Sequence, residues 1–258
     1  FIFVNMSQVA GKIVVITGAS SGIGKSIAEV LSKNGANVCL GARREEKLKE
    51  LTDAINGGEN GKATFKVTDV TNRDQVADLV KHAEEHFKKP VDVLINNAGV
   101  MPLSFFRNLH QDEWDRMVDV NIKGVLNGIA AVLPGMTERK SGDIINISSD
   151  AGRKLFPGGA VYCATKWAVE AITQGLRQET AGSNIRILSI QPGATSSELG
   201  NSITDPEVFE MFKKEPLERF LDSEDVANAV LYALQQPEHC AINEILVRPT
   251  CQRSQLSF

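Results

Sequence analysis

The sequence predicts one α/β domain: a parallel, doubly wound sheet of about seven strands with helices on both faces. Three observations carry this reading. Short β-branched runs alternate with helix-length segments along the chain, the order that produces repeated β-α-β units. Several of those runs are nearly all apolar, as strands covered on both faces must be. No linker, internal repeat or break in composition divides the 258 residues, and α/β folds of ~250 residues often form a single unit.

The first strand is read at residues 12–17 (KIVVIT). It leads through Thr17-Gly18-Ala19-Ser20-Ser21-Gly22-Ile23-Gly24 into a helix over 22–34 that keeps Ile23, Ile27, Val30 and Leu31 on one face and stops at Asn34-Gly35. A strand, a glycine-rich turn and a helix in that order present backbone N–H groups and a positive helix end to an anion. Gly18 permits the sharp turn, Gly22 lets backbone approach a pyrophosphate, and Gly24 allows close helix–strand packing. The second strand, residues 37–40, is followed by Gly41-Ala42-Arg43-Arg44. The acid that holds ribose hydroxyls in NAD sites is absent there, and guanidinium groups suit a 2′-phosphate. NADP (NADPH) is therefore the expected cofactor, with Arg43 on the phosphate. Arg44 either shares that work or begins a charged helix with Glu45 and Glu46. Asp69, after the third strand (63–67), either accepts from an adenine amino group or caps the helix that starts near Thr71.

The helix over 72–87 carries Val76, Leu79, Val80 and Ala83 on one face. Its His82 and His86, at i, i+4, could chelate a metal or belong to a solvated face with Lys81, Glu84 and Glu85; the latter is expected. The fourth strand (91–95) precedes a long helix over 112–133. The fifth (143–147) ends at Ser148-Ser149. The next helix, 160–181, closes at Ala181-Gly182. It places Tyr162 and Lys166 at i, i+4 on one face, where an ammonium would lower a phenol pKa of ordinarily ~10 and Ser149 could orient a carbonyl. The sixth strand (185–190) runs into residues 192–221, rich in Ser, Thr and Pro and then in Phe209, Met211, Phe212 and Phe220. A lid over the carboxyl edge of the sheet is expected there. The seventh strand is 244–247.

Composition narrows the partners. The net charge is −4 and no basic tract appears, which argues against nucleic acid. No run reaches the ~18–20 apolar residues of a membrane span. Residues 1–5 read as an extension before Met6, leaving 6–258 as one cofactor-binding catalytic domain. Four cysteines without C-x-x-C spacing suggest a reducing, cytoplasmic setting.

Taken together, TGASSGIG (17–24), Asp69-Val70, Asn96-Asn97-Ala98-Gly99, Asn121, Ser148-Ser149, Tyr162-Cys163-Ala164-Thr165-Lys166 and Pro192-Gly193 occur in order. That set resembles the short-chain dehydrogenase/reductase family from about residue 11 to 250. The fuller likeness is to its NADP-dependent branch of 3-hydroxy-acid (serine-type) dehydrogenases, clavulanate-type aldehyde reductases and farnesol dehydrogenases. The resemblance implies a Rossmann-type fold, with Tyr162 as general acid or base and Lys166 on the nicotinamide ribose. Ser149 would bind the substrate oxygen, and Asn121 would hold a water that links Lys166 to solvent. Gly18, Ser20, Ser21, Gly22, Ile23, Gly24, Val70, Asn97, Ala98, Gly99, Pro192, Gly193 and Thr195 would line the cofactor site; Asn97 otherwise pins the central strands. The family's further threonine is Ser197 here. No metal is required, since Ser149 and Tyr162 can polarise a carbonyl together.

Hydride transfer between NADPH and a medium-sized hydrophobic aldehyde, ketone or secondary alcohol is the expected activity. The pocket candidates are Met101, Phe105, Phe106, Asp150, Phe156, Leu199, Phe209 and Phe212, and a homodimer or homotetramer is expected. The alternatives are a 3-hydroxy-acid or 3-oxoacyl-type enzyme, Arg153 and Lys154 leaving an acidic substrate open, and a non-catalytic NADP-binding regulator.

Overall fold

The computed structural model describes residues 8–214 and 217–252; the extension read at residues 1–5 lies outside them. Seven strands, β1 (Ile13–Thr17), β2 (Asn37–Ala42), β3 (Ala63–Val67), β4 (Val93–Asn96), β5 (Gly142–Ile147), β6 (Ile185–Pro192) and β7 (Glu244–Val247), form one parallel sheet in the order β3-β2-β1-β4-β5-β6-β7. Alternation along β1 shows why the sheet is covered twice. Val14 and Ile16 enter a core with Ile27, Leu31, Leu48, Val226 and Val230, whereas Ile13 and Val15 enter another with Leu79, Val125, Ile129, Met136 and Val169. One face thus carries α1 (Gly22–Lys33), α2 (Glu45–Asn56) and α8 (Ser223–Leu234); the other carries α3 (Arg73–Phe87), α5 (Gly124–Arg139) and α6 (Ala160–Glu179).

Several boundaries differ from the sequence reading. The helix after β3 starts at Arg73, because Asn72 caps it by accepting from the N–H groups of Asp74 and Gln75. The long helix after β4 is composite. α4 (Gln111–Met117) passes through a π-helical turn, Val118–Lys123, into α5. α5 continues to Arg139 through Pro134. That run, Gln111–Arg139, has the length and apolar composition of a membrane span, but the inner face of α5 is packed in the core. Within 192–221 the chain forms a short turn, Glu198–Ser202, and a helix α7 (Pro206–Lys214).

Candidate active site

A cleft of about 1330 Å³ lies along the carboxyl ends of the strands, over the reversal of strand order between β1 and β4, the place where such sheets take ligands. It exceeds the ~300–1,000 Å³ of a typical single small-molecule site. Its floor begins at the glycine-rich turn. Gly18 has φ +66°, and a Cβ on it would lie 2.7 Å from Ala98 Cα. Asn97 donates from Nδ2 to the carbonyls of Thr17 (2.9 Å) and Gly18 (3.2 Å), so its amide pins the central strands. Gly24 is buried beneath the turn against Asn97 and Gly18 and, alone among the glycines read from this motif, does not line the cleft. Ser21 precedes α1 without capping it, and the first turn holds no acidic side chain. The positive helix end therefore faces the cleft with no carboxylate of its own turn, which fits the pyrophosphate of a dinucleotide.

Arg43 and Arg44 both line the cleft and both are exposed; Arg44, extended at the start of α2, turns back over the glycine-rich turn. Its guanidinium donates to Ser20 Oγ (2.9 Å), Ser21 Oγ (2.6 Å) and Glu198 Oε2 (2.6 Å). Asp69 does not cap α3; its Oδ1 accepts from the N–H and hydroxyl of Thr71, and it lines the cleft with Val70.

Ser149, Tyr162 and Lys166 meet on the cleft floor. All three are buried, and the Ser149 side chain hydrogen-bonds the phenol. Burial pushes the Tyr162 pKa above its ordinary value, the bond from Ser149 draws it part of the way back, and the Asp150 charge raises it. The expected depression of the phenol by Lys166 is thus outweighed here by desolvation. Lys166 Nζ instead donates to the Ile147 carbonyl at 3.0 Å, 5.8 Å from the tyrosine ring centroid. Burial lowers its pKa to about 8, against the pull of the Glu170 carboxylate. Asn121 lies in the π-helical turn, outside the cleft lining. Its Nδ2 donates to the Val100 carbonyl (2.9 Å) and Thr165 Oγ1 (3.1 Å), and its Oδ1 accepts from Val100 N–H (2.9 Å). Both amide hydrogens have protein partners, so the side chain clamps the Val100 strand end to α6.

Beyond Tyr162 the cleft is lined by Met101, Asp150, Phe156, Leu199, Phe209 and Phe212. Phe105 and Phe106 are not among its walls: Phe105 packs against the core cluster that holds Leu103, Met117 and Val208, and Phe106 is exposed against the Trp114 ring. Sequence reasoning missed the C-terminal contribution. Gln252 lines the cleft, accepts from Ala194 N–H (2.9 Å) and donates to Asp150 Oδ2 (2.8 Å). The same carboxylate oxygen takes Arg248 Nε at 3.2 Å and lies 2.7 Å from Lys154 Nζ. Gln252 sits in no recognisable motif, so no signal pointed to it. Pro192, Gly193 and Thr195 line the neighbouring wall. Ser197 Oγ accepts from Leu199 N–H at 3.3 Å, which makes it a turn cap.

Known proteins share this arrangement. Residues 12–208 match the family model for short chain dehydrogenase. The oxidoreductase SSP1627 of Staphylococcus saprophyticus is 49% identical over 253 residues, covering 96% of this chain and 99% of that one. Glycine betaine reductase ATRR of Emericella nidulans is 49% identical over 240 residues, 93% of this chain; the match spans only 19% of that larger protein. The closed form of a serine dehydrogenase complexed with NADP+ superposes with a TM-score of 0.85 at 33% identity, over 93% of this chain and 96% of the other. An alcohol dehydrogenase from Thermococcus sibiricus, complexed with 5-hydroxy-NADP, gives 0.83 at 29% identity, over 94% and 98%. With a glycine-rich turn, two arginines lining the cleft beside it and relatives solved with NADP, the chain belongs to the short-chain dehydrogenase family and is an NADP-dependent oxidoreductase.

Proposed function

We propose that the protein transfers a hydride between NADPH and the carbonyl carbon of an aldehyde or ketone, and oxidises the corresponding alcohol in reverse. The observation that carries this is the buried hydrogen bond between Ser149 and Tyr162 on the cleft floor. Bound NADPH supplies the hydride. Ser149 donates to the carbonyl oxygen and fixes its position, and Tyr162 delivers the proton to that oxygen. Burial favours the protonated phenol, the state an acid needs. Lys166, with a pKa of about 8, retains its charge at neutral pH and holds the nicotinamide ribose. Asn121 positions Val100 and Thr165 around it. Gly18, Ser20, Ser21, Gly22, Ile23, Asn97, Ala98 and Gly99 hold the phosphates and the inner ribose, with Gly24 supporting the turn from below. Arg43 and Arg44 hold the 2′-phosphate, Asp69 and Val70 the adenine, and Pro192, Gly193 and Thr195 the nicotinamide.

Met101, Phe156, Leu199, Phe209 and Phe212 favour a medium-sized apolar substrate. A second reading, a 3-hydroxy acid, is favoured by Lys154, whose ammonium lines the same cleft at 2.7 Å from Asp150. Residues 192–221 act as the lid over this end. Exposed Val118, Leu126 and Trp167, on the two long helical segments, favour pairing of copies into a homodimer or homotetramer, and four unpaired cysteines fit the cytoplasm.

The test follows the loss of reduced-nicotinamide absorbance over a panel of neutral aldehydes and ketones, with 3-oxo acids and an aldehyde bearing a quaternary ammonium group as further arms. Tyr162→Phe should lower turnover by about 10²–10⁴ with NADPH affinity unchanged. No turnover of any carbonyl, or turnover within tenfold of wild type in the variant, overturns the assignment.

A further inference from the structure

Glu198 holds the cations that the cofactor needs. Its Oε2 accepts from Arg44 Nη1 at 2.6 Å and its Oε1 from Lys47 Nζ at 2.9 Å, and the Ser21 hydroxyl bonds it as well. These bonds, that from Arg44 foremost, hold its carboxyl far below the usual carboxylate range, at about 2, so the group is a full anion at any working pH. The three partners come from separate places. Arg44 and Lys47 stand at the start of α2, Ser21 belongs to the glycine-rich turn, and Glu198 opens the Glu198–Ser202 turn beyond β6. Residues 195–199 thereby cross the cofactor groove: the Ser197 Cβ would lie 3.2 Å from a Cβ placed on Gly22. A 2′-phosphate requires the same donors as this carboxylate, and two anions cannot share one small cation cluster without repulsion.

We propose that Glu198 is an internal competitor for the 2′-phosphate seat. On the reading that Arg43 and Arg44 seat the 2′-phosphate, NADP(H) binding exchanges the carboxylate for the phosphate on Arg44. Glu198 therefore sets the affinity for the phosphorylated cofactor, and its release frees the crossing segment 195–202 from α2. A nucleotide without the 2′-phosphate brings nothing that displaces it. The Arg44 and Glu198 side chains are each 45% exposed, where single ion pairs are weak. Removing the competing charge should accordingly change affinity by about three- to tenfold.

Calorimetric titration of the ligand-free protein with adenosine 2′,5′-bisphosphate and adenosine 5′-monophosphate tests this without turnover. Glu198→Gln should tighten the bisphosphate by about three- to tenfold and the monophosphate by less than about twofold. The selective gain should shrink at high ionic strength and vanish when Arg44→Gln is combined with it. Unchanged or weaker bisphosphate binding in Glu198→Gln, an equal gain for both nucleotides, or a gain that survives loss of Arg44 would each overturn the proposal.

Discussion

The two banks of the cleft are held by different forces. On the bank of β1 and β4 every contact runs to backbone and is at least partly buried: Gly18 lies against Ala98, the Asn97 amide bonds the carbonyls of Thr17 and Gly18, and the Asn121 amide clamps Val100. On the bank beyond β6 the contacts are mostly side chains far apart in sequence. Glu198 meets Arg44, Glu207 meets Arg107, and Asp205 accepts from Phe105 N–H (3.1 Å) and Asn108 Nδ2 (2.7 Å). Buried backbone contacts break only with the fold, whereas exposed ion pairs exchange with water and ions at little cost. One bank is thus a fixed template for the cofactor, and the other is a cover that can be rewritten for a substrate.

The contrast can be broken at its strongest point. Gly18→Ala forces a left-handed conformation on a residue with a Cβ and drives that Cβ to 2.7 Å from Ala98 Cα. It should cost about 2–4 kcal/mol of stability, measured by urea unfolding. A cost below about 0.5 kcal/mol, the scale of an ordinary surface change, would mean that the template yields as readily as the cover.

Buried charge on the floor gives a smaller, pH-dependent effect. Burial depresses Lys166 from 10.5 to about 8, so between those values the unfolded chain binds more protons than the folded one. Stability of the ligand-free protein should therefore rise with pH across that window. Tyr162, raised by burial from its ordinary 10.0, acts in the opposite sense only above that value. Lys166→Met should flatten the rise in a series of unfolding curves; a slope identical to wild type would show that the lysine is not the group responsible.

The cover should show the least energetic effect and the most functional one. Phe209 is 48% exposed while lining the cleft. Phe209→Ala should leave stability within about 0.5 kcal/mol and alter the ratio of kcat/KM between bulky and small carbonyls. A large fall in Tm with unaltered selectivity would move this residue from the cover to the core.

The same division governs what could be read from the sequence. The template is local: a strand, three glycines and a helix follow one another, and Tyr162 and Lys166 are one helical turn apart, so spacing alone brings the groups together. Spacing could not tell Arg43 from Arg44: both line the cleft, and the backbone turn into α2, not the order of residues, decides which guanidinium folds back over the glycine-rich turn. Gln252 and Glu198 were illegible as site residues, since each acts through partners at least 58 positions away. Phe105 and Phe106 looked like pocket residues by composition, and tertiary packing removed them, Phe105 against the core cluster of Leu103 and Met117 and Phe106 against the Trp114 ring. The phenol shift was misjudged because burial cannot be gauged from an i, i+4 pair.

Gln252 has a consequence for how the enzyme is made. Chains emerge from the ribosome with the N-terminal end first, so the glycine-rich turn is available long before its opposite wall. The end of the groove where Gln252 ties Ala194 to Asp150 cannot close until the segment after β7 has been released. A nascent chain that has not yet exposed that segment therefore presents a dinucleotide with only half a site. The gain in stability that a ligand confers on the native state alone reaches this domain once that segment has emerged.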